Sequence, residues 1–186
     1  GLQYAYSLID RGVELDLLPA GAEFGLGMVP WSPLAAGLLT GKYGRDKISD
    51  ASRVPGLPDK AGTVTEGESE GRLNGDNPFG GMLFTDRNFQ VVDVLKAVAS
   101  EAGRSPAEVA LAWVAKRPGV SSVLIGASRV DQLTQNIASL DTVLEDQHLQ
   151  RLEKATALPM LNPYFIFQMP TEMVFGGQQV RGWGTS

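Results

Sequence analysis

A proline cuts short the stretch of sequence that most constrains this chain. Leu26, Met28 and Val29 form a brief apolar strand, and Pro30, which has no N–H to give a ladder, ends it. Trp31 and Ser32 then fall at the strand's C-terminal lip. Pro33 to Thr40 reads as a turn into a small Gly- and Ala-rich helical segment, followed by Lys42 and Tyr43. In α/β proteins ligands bind at such a lip, because backbone N–H groups of turns and helix starts converge beyond the strand ends. Trp31, Ser32, Gly37 and Lys42 suit an aromatic ring and a phosphate group. The plainer reading stands beside it: Trp31 packs under a loop and Lys42 is a solvated surface charge.

Three such strands can be read along the chain. Gly1 to Leu8 is the first. A helix follows from Asp16 to Phe24, with Asp16 as its cap, Pro19 tolerated in its first turn, and Gly25 to Gly27 ending it. The Pro30 strand is the second. After it, Gly44 to Gly81 lacks any sustained apolar period and carries Glu66, Glu68, Glu70, Arg53 and Arg72, which predicts a long variable loop over 44–85. Val91, Val94, Leu95, Val98 and Ala102 form one helical stripe that Gly103 stops. Ser105, Pro106 and Glu108 carry the signature of a capping box. The helix they open has a small-residue face of Val109, Ala110, Ala112 and Trp113 and ends at Lys116 to Gly119.

Val120 to Ile125 is the third strand, and Gly126-Ala127-Ser128 follows it. Ser128 and Asp131 have the spacing of a second capping box, opening a helix through Leu133 and Ile137 with Arg129 at its start. This predicts a second anion site at the same end of the sheet as Trp31 and Ser32. Glu145 to Thr156 is read as a further helix with Leu149 and Leu152 inward and His148 on its wet side. An aromatic tail over 157–186 includes Tyr164, Phe165, Phe175 and Trp183.

Composition narrows the functional classes. Sixteen basic against twenty-one acidic residues give a net charge of −5 with no basic block, which argues against a nucleic-acid surface. No run of apolar residues approaches the ~20 a membrane-spanning helix needs. There is no cysteine, so thiol and disulfide chemistry are excluded and a cytoplasmic setting is expected. The single histidine cannot build a His-rich metal site.

Three strands, each followed by helix, predict a parallel sheet by the right-handed crossover rule. No GxGxxG follows any strand, and the anion-binding candidates come after the last two, as in (β/α)₈ barrels, where the loops after strands seven and eight hold phosphate. Three units cannot close a barrel of eight strands. The fold class expected is therefore α/β, the C-terminal portion of a (β/α)₈ TIM barrel: strands six to eight with their helices. Alone, such a chain is expected to be unstable or to form homo-oligomers, because its first and third strands would expose open edges.

Four stretches make the reading specific: LQYAYSLIDR at 2–11, VPWSPLAAGLLTGKY at 29–43, SPAEVALAWV at 105–114 and SVLIGASRVDQLTQNI at 122–137. With these the chain resembles the aldo-keto reductase superfamily, in particular bacterial reductases related to the potassium-channel beta subunits. The resemblance implies an NADP(H)-dependent oxidoreductase that reduces a small aldehyde or ketone to an alcohol. It also implies residue roles. Gln3 would hydrogen-bond the nicotinamide carboxamide and Trp31 would stack on the nicotinamide ring. Ser32, Leu34 and Gly37 would turn around the pyrophosphate, with Lys42 reaching the phosphates and Arg53 folding over the cofactor. Gly126, Ser128 and Arg129 would receive the 2′-phosphate, and Gln132, Gln135 and Asn136 would face the adenine, Gln135 standing where channel beta subunits carry glutamate.

The family's catalytic aspartate, tyrosine, lysine and histidine come from the first four strands, and no residue of this chain matches them. The chain is accordingly expected to be an excerpt of a longer enzyme and inactive by itself. The alternative implied by the resemblance is a non-catalytic or redox-sensing NADP-binding subunit of the channel-beta kind.

Overall fold

The structure, a computed structural model, describes residues 1–47, 73 and 80–178. Arg53, Arg72, the acidic run Glu66, Glu68 and Glu70, and Trp183 lie outside the described residues. Three parallel bridges, Leu2 with Met28, Ala5 with Trp31 and Met28 with Val120, join three extended segments in the expected order. The second segment lies in the middle. Its Val29 and Trp31 N–H groups donate to Leu2 and Tyr4 carbonyls at 2.7 and 3.0 Å, and its Met28 and Pro30 carbonyls accept from Ser121 and Leu124 at 2.8 and 2.9 Å.

Continuous strands over 1–8, 26–29 and 120–125 do not form; among the described residues the pairing is by isolated bridges. The causes are local. Ser7 and Asp10 exchange backbone hydrogen bonds that bend the chain away directly after Tyr6. Pro30 interrupts the middle segment as a donor. The segments still lie very close: a Cβ added at Gly27 would come to 3.0 Å from Ser121 Cβ and closer still to its hydroxyl, so a larger residue there would force Ser121 to shift.

Helices pack on this frame. Helix α1 (Leu17–Phe24) is capped by the Asp16 carboxylate, which accepts from Leu17 N–H at 2.6 Å, and ends at Gly25 in the left-handed region (φ 66°). A single turn, α2 (Gly80–Leu83), precedes α3 (Asp86–Glu101), which Thr85 caps and which buries Phe89, Val91, Val92, Leu95, Val98 and Ala99. Helix α4 (Pro106–Ala115) opens with the predicted capping box, Ser105 and Glu108 bonding reciprocally, and buries every residue from Val109 to Val114. Helices α5 (Val130–Ala138), α6 (Asp146–Ala155) and the short α7 (Thr171–Phe175) complete the described set. Tyr6, Leu8, Met28, Leu38, Leu39, Trp113 and Leu152 fill the core between segments and helices. Among the described residues no helix is long and apolar enough to cross a membrane.

His148 is a correction to the sequence reading. It is 5% exposed, not on the wet side. Its position four residues before the buried Leu152 puts it on the same inward face of α6. There its Nε2 lies 3.7 Å from Glu101 Oε2 on α3, while Nδ1 is buried with no hydrogen-bond partner among the described residues.

The ionic cluster around Trp113 had no counterpart in the sequence reading. Arg11 and Arg117 both lie over the Trp113 ring, 5.2 and 4.7 Å from its centroid. Glu14 accepts from Tyr6 Oη at 2.6 Å and from Arg11 through both carboxylate oxygens. Glu153 pairs with Arg11 and Arg117 at 2.6 Å each, and Arg11 also donates to the buried Thr156 hydroxyl at 2.7 Å. Burial pushes the Tyr6 hydroxyl well above the ordinary tyrosine value, and Glu14 adds to the rise. Burial would raise Glu14 too, but hydrogen bonds from Arg11 and Tyr6 outweigh it and hold the carboxyl below its usual range. The cluster ties residues 6–14 to the end of α4 and the end of α6.

Candidate functional site

The site grows out of the turn after Trp31. Trp31 is held to the first segment, its N–H donating to Tyr4 and its carbonyl accepting from Tyr6, and the residue is 47% exposed at the segment's end. Beyond it the backbone winds through a run of positive φ: Ser32 at 55°, Ala35 at 48°, Ala36 at 52° and Gly37 at 98°. Glycine accepts such angles, whereas each alanine or serine there costs on the order of 1 kcal/mol or more. Strain is thus gathered in three nearby residues, Ser32, Ala35 and Ala36, in one short loop.

Internal bonds fix that shape. Ser32 Oγ accepts from Ala36 N–H at 3.3 Å, Ala35 N–H donates to the Ser32 carbonyl at 2.9 Å, and Thr40 Oγ1 donates to the Gly37 carbonyl at 2.8 Å. The predicted small helix is thus a kinked 3₁₀ segment, Ala35–Thr40, closed by Gly41. Lys42 folds back beside Gly37 and places its ammonium 5.1 Å from the centre of the Tyr43 ring. Tyr43 is buried, its hydroxyl accepting from Leu73 N–H at 3.0 Å.

The second turn follows the third segment. Here the predicted Ser128–Asp131 capping box does not form. The helix starts one residue later than that pattern requires, with Arg129 at the cap position and no side-chain cap bond. Ser128 instead donates both its N–H and its hydroxyl to Gln132 Oε1, at 3.0 and 3.1 Å. Asp131 reaches back to Arg129, accepting from Nε at 3.0 Å and Nη2 at 2.8 Å, and this pairing holds its carboxyl below the usual aspartate range.

The two turns face one cleft of about 950 Å³. Ser32, Leu34, Gly37 and Lys42 line one side, and Gly126, Ser128, Arg129, Gln132, Gln135 and Asn136 the other. Gln3 and Trp31 are exposed on the neighbouring segments and do not line it. Arg53 falls outside the described residues. Sequence reasoning missed Thr40, whose hydroxyl braces the strained turn, and Ser105 with Ala107, where the start of α4 forms a wall. Ser105 carried a visible signal but only as a helix cap; its nearness to the cleft depends on how α4 packs. Small residues, Ala36, Gly37, Ala107, Gly126 and Ala127, leave the space open, and two cations and several hydroxyl and amide groups surround it. Such a lining has the size and the donors to accommodate a large, anionic, hydrogen-bonding group.

The Aldo/keto reductase family pattern matches residues 2–157. A probable voltage-gated potassium channel subunit beta of Oryza sativa subsp. japonica is 36% identical over 142 residues, covering 76% of this chain and 38% of the relative. The L-glyceraldehyde 3-phosphate reductase of Escherichia coli (strain K12) is 34% identical over 142 residues, covering 76% and 36%. An uncharacterized oxidoreductase, YrpG, of Bacillus subtilis (strain 168) is 33% identical over 150 residues, covering 81% and 38%. The chain therefore spans well under half the length of these curated relatives. With the family pattern running through both turns of the cleft and beyond, the chain belongs to the aldo/keto reductase family, whose members fold as (β/α)₈ barrels and include carbonyl-reducing oxidoreductases.

Proposed function

We propose that this chain is the cofactor-holding, C-terminal part of an NADP(H)-dependent reductase of aldehydes and ketones, supplying barrel strands six to eight. The observation that carries the reading is the single cleft shared by the strained Ser32–Lys42 turn and the Gly126–Asn136 turn. Its volume sits at the upper end of the ~300–1,000 Å³ typical of ligand sites, as a dinucleotide needs. In this reading Ser32, Leu34, Gly37 and Lys42 hold the pyrophosphate. Ser128 and Arg129, beside Gly126, meet the 2′-phosphate, and Gln132, Gln135 and Asn136 the adenine. Trp31 walls the nicotinamide and Gln3 bonds its carboxamide from the adjoining segment. NADPH, when bound, supplies the hydride.

The proton comes from elsewhere. Tyr6 is tied to Glu14 and Arg117, and Tyr43 is buried against Leu73, so neither hydroxyl is placed as an acid at the cleft. A proton donor in another part of a longer barrel answers this. The same placement accounts for the apolar residues left outward on the third segment and α5: Leu124, Ile125, Val130, Leu133 and Ile137 are each at least 40% exposed. In a closed barrel that side would face the first strand and its helix.

A second reading has its own support in the relatives named as channel beta subunits: a cofactor-binding subunit whose task is sensing rather than turnover. Turnover separates the two. The full-length protein with NADPH and a panel of small aldehydes is expected to show steady cofactor oxidation that follows aldehyde concentration. Tight NADPH binding with no oxidation above background would favour the sensing subunit.

A further inference from the structure

We propose that Asp131 is a specificity-determining residue that weakens the hold of Arg129 on a cofactor phosphate, and so limits the preference for NADPH over NADH. The inference rests on the NADP(H) reading of the cleft and concerns a residue outside the cleft lining. Arg129 is the cation of the second turn. Its Nε and Nη2, one complete fork of the guanidinium, are both taken by Asp131. That fork is the arrangement with which arginine grips a carboxylate or a phosphate through two parallel bonds.

The pair's consequence is electrostatic rather than structural. Both side chains are well exposed, 65% for Arg129 and 60% for Asp131, and an exposed pair of this kind adds little to folding stability. It does cancel the positive charge at the rim of the cleft. Asp131 also occupies the first turn of α5, where its carboxylate offsets the partial positive charge of the helix start that would otherwise attract an anion.

Ser128, beside it, provides the contrast. Both its donors are held by Gln132 Oε1, a neutral amide. A phosphate taking those donors displaces no charge. A phosphate taking Arg129 meets a fixed carboxylate on the same guanidinium, and two anions within several ångströms repel. For a phosphate carrying nearly two charges in well-solvated surroundings the repulsion corresponds to a change of about three- to tenfold in affinity. NADH has no 2′-phosphate, so Asp131 cannot act on it in this way.

The test is titration of NADPH and of NADH into the full-length protein and its Asp131→Asn, Arg129→Ala and doubly substituted variants, followed by cofactor fluorescence. Asp131→Asn keeps the side chain's shape and removes its charge. It is expected to lower the NADPH dissociation constant about three- to tenfold at low salt and leave NADH within about twofold. The gain should shrink as salt is raised, and shrink again when Arg129 is already alanine, since only the repulsion of Asp131 on the phosphate itself then remains. An unchanged or raised NADPH dissociation constant in Asp131→Asn overturns the proposal and makes Asp131 an orienting partner instead. A gain that persists undiminished without Arg129 overturns it as well. Wild-type protein that binds neither nucleotide removes the cofactor reading and this inference with it, whereas normal NADPH binding with a neutral Asp131→Asn removes the inference alone.

Discussion

Two regions joined by one helix use charge in opposite ways. At the C-terminal end of α4, Trp113, Arg117 and their neighbours form a closed cluster in which two arginines, two glutamates and the Tyr6 hydroxyl satisfy one another around a buried ring. At its N-terminal end, Ser105 and Ala107 border a cleft whose charged side chains are exposed and whose backbone is strained. The first region commits its polar groups to fixing the fold. The second holds Lys42 and Arg129 near solvent, where a ligand can reach them. An arginine's role in this chain is set by the geometry of its partners, since Arg11, Arg117 and Arg129 all have carboxylates beside them.

The sharpest break of this comparison is Trp113→Ala. The indole is 1% exposed and both arginines rest on it, so the substitution empties a core site and unseats the cluster together. A loss of about 3–5 kcal/mol of folding stability is expected by chemical denaturation of the full-length protein. An effect below about 1 kcal/mol would show that the cluster does not anchor α4.

Acid is the next lever. The Glu14 carboxyl is held below its usual range by Arg11 and Tyr6 against the opposing effect of burial, so its contribution is complete at neutral pH. It is lost as the pH falls through the lowered folded value, starting below about pH 4.3, the ordinary glutamate pKa. Glu14→Gln should cost about 1.5–3 kcal/mol at pH 7 and flatten that acid limb, which a pH series of denaturant midpoints would read. A variant as acid-sensitive as wild type would assign the acid limb to other carboxylates.

How much of this was legible beforehand depended on how local the chemistry was. The Asp16 cap, the Gly25 stop and the Ser105–Glu108 box join residues a few positions apart, and each was visible in the spacing. The two turns of the cleft were legible as turns after successive extended segments, though the positive φ of Ala35 and Ala36 was not, because alanine ordinarily favours a right-handed helix. The Ser128–Asp131 spacing misled: a residue in that place can equally turn back to Arg129, two positions before it. The Trp113 cluster was out of reach, since it joins residues more than a hundred positions apart and charged side chains read as surface when seen singly. His148 was within reach through its four-residue spacing to Leu152.

On the cleft side, Gly37→Ala is expected to have the smallest effect on folding. The new Cβ would meet Lys42 Cε at 3.6 Å, an ordinary van der Waals distance, so the cost of about 1 kcal/mol comes from the backbone at φ 98°. Its mark should be a weaker hold on NADPH and NADH alike as the turn relaxes. Unchanged affinity for both would separate the turn's strain from binding.

The central question is whether the two turns hold one nucleotide. The direct measurement is the dissociation constant of NADPH and of NADH for the full-length protein and its Lys42→Ala and Arg129→Ala variants. Removing a charge-assisted hydrogen bond costs about 1.5–3 kcal/mol, or roughly ten- to a hundredfold in affinity. Lys42→Ala should weaken both cofactors, because both carry the pyrophosphate, while Arg129→Ala should weaken NADPH and leave NADH nearly unchanged. Equal losses for both cofactors in Arg129→Ala, or no loss for either in Lys42→Ala, would contradict a single NADP(H) site spanning the cleft.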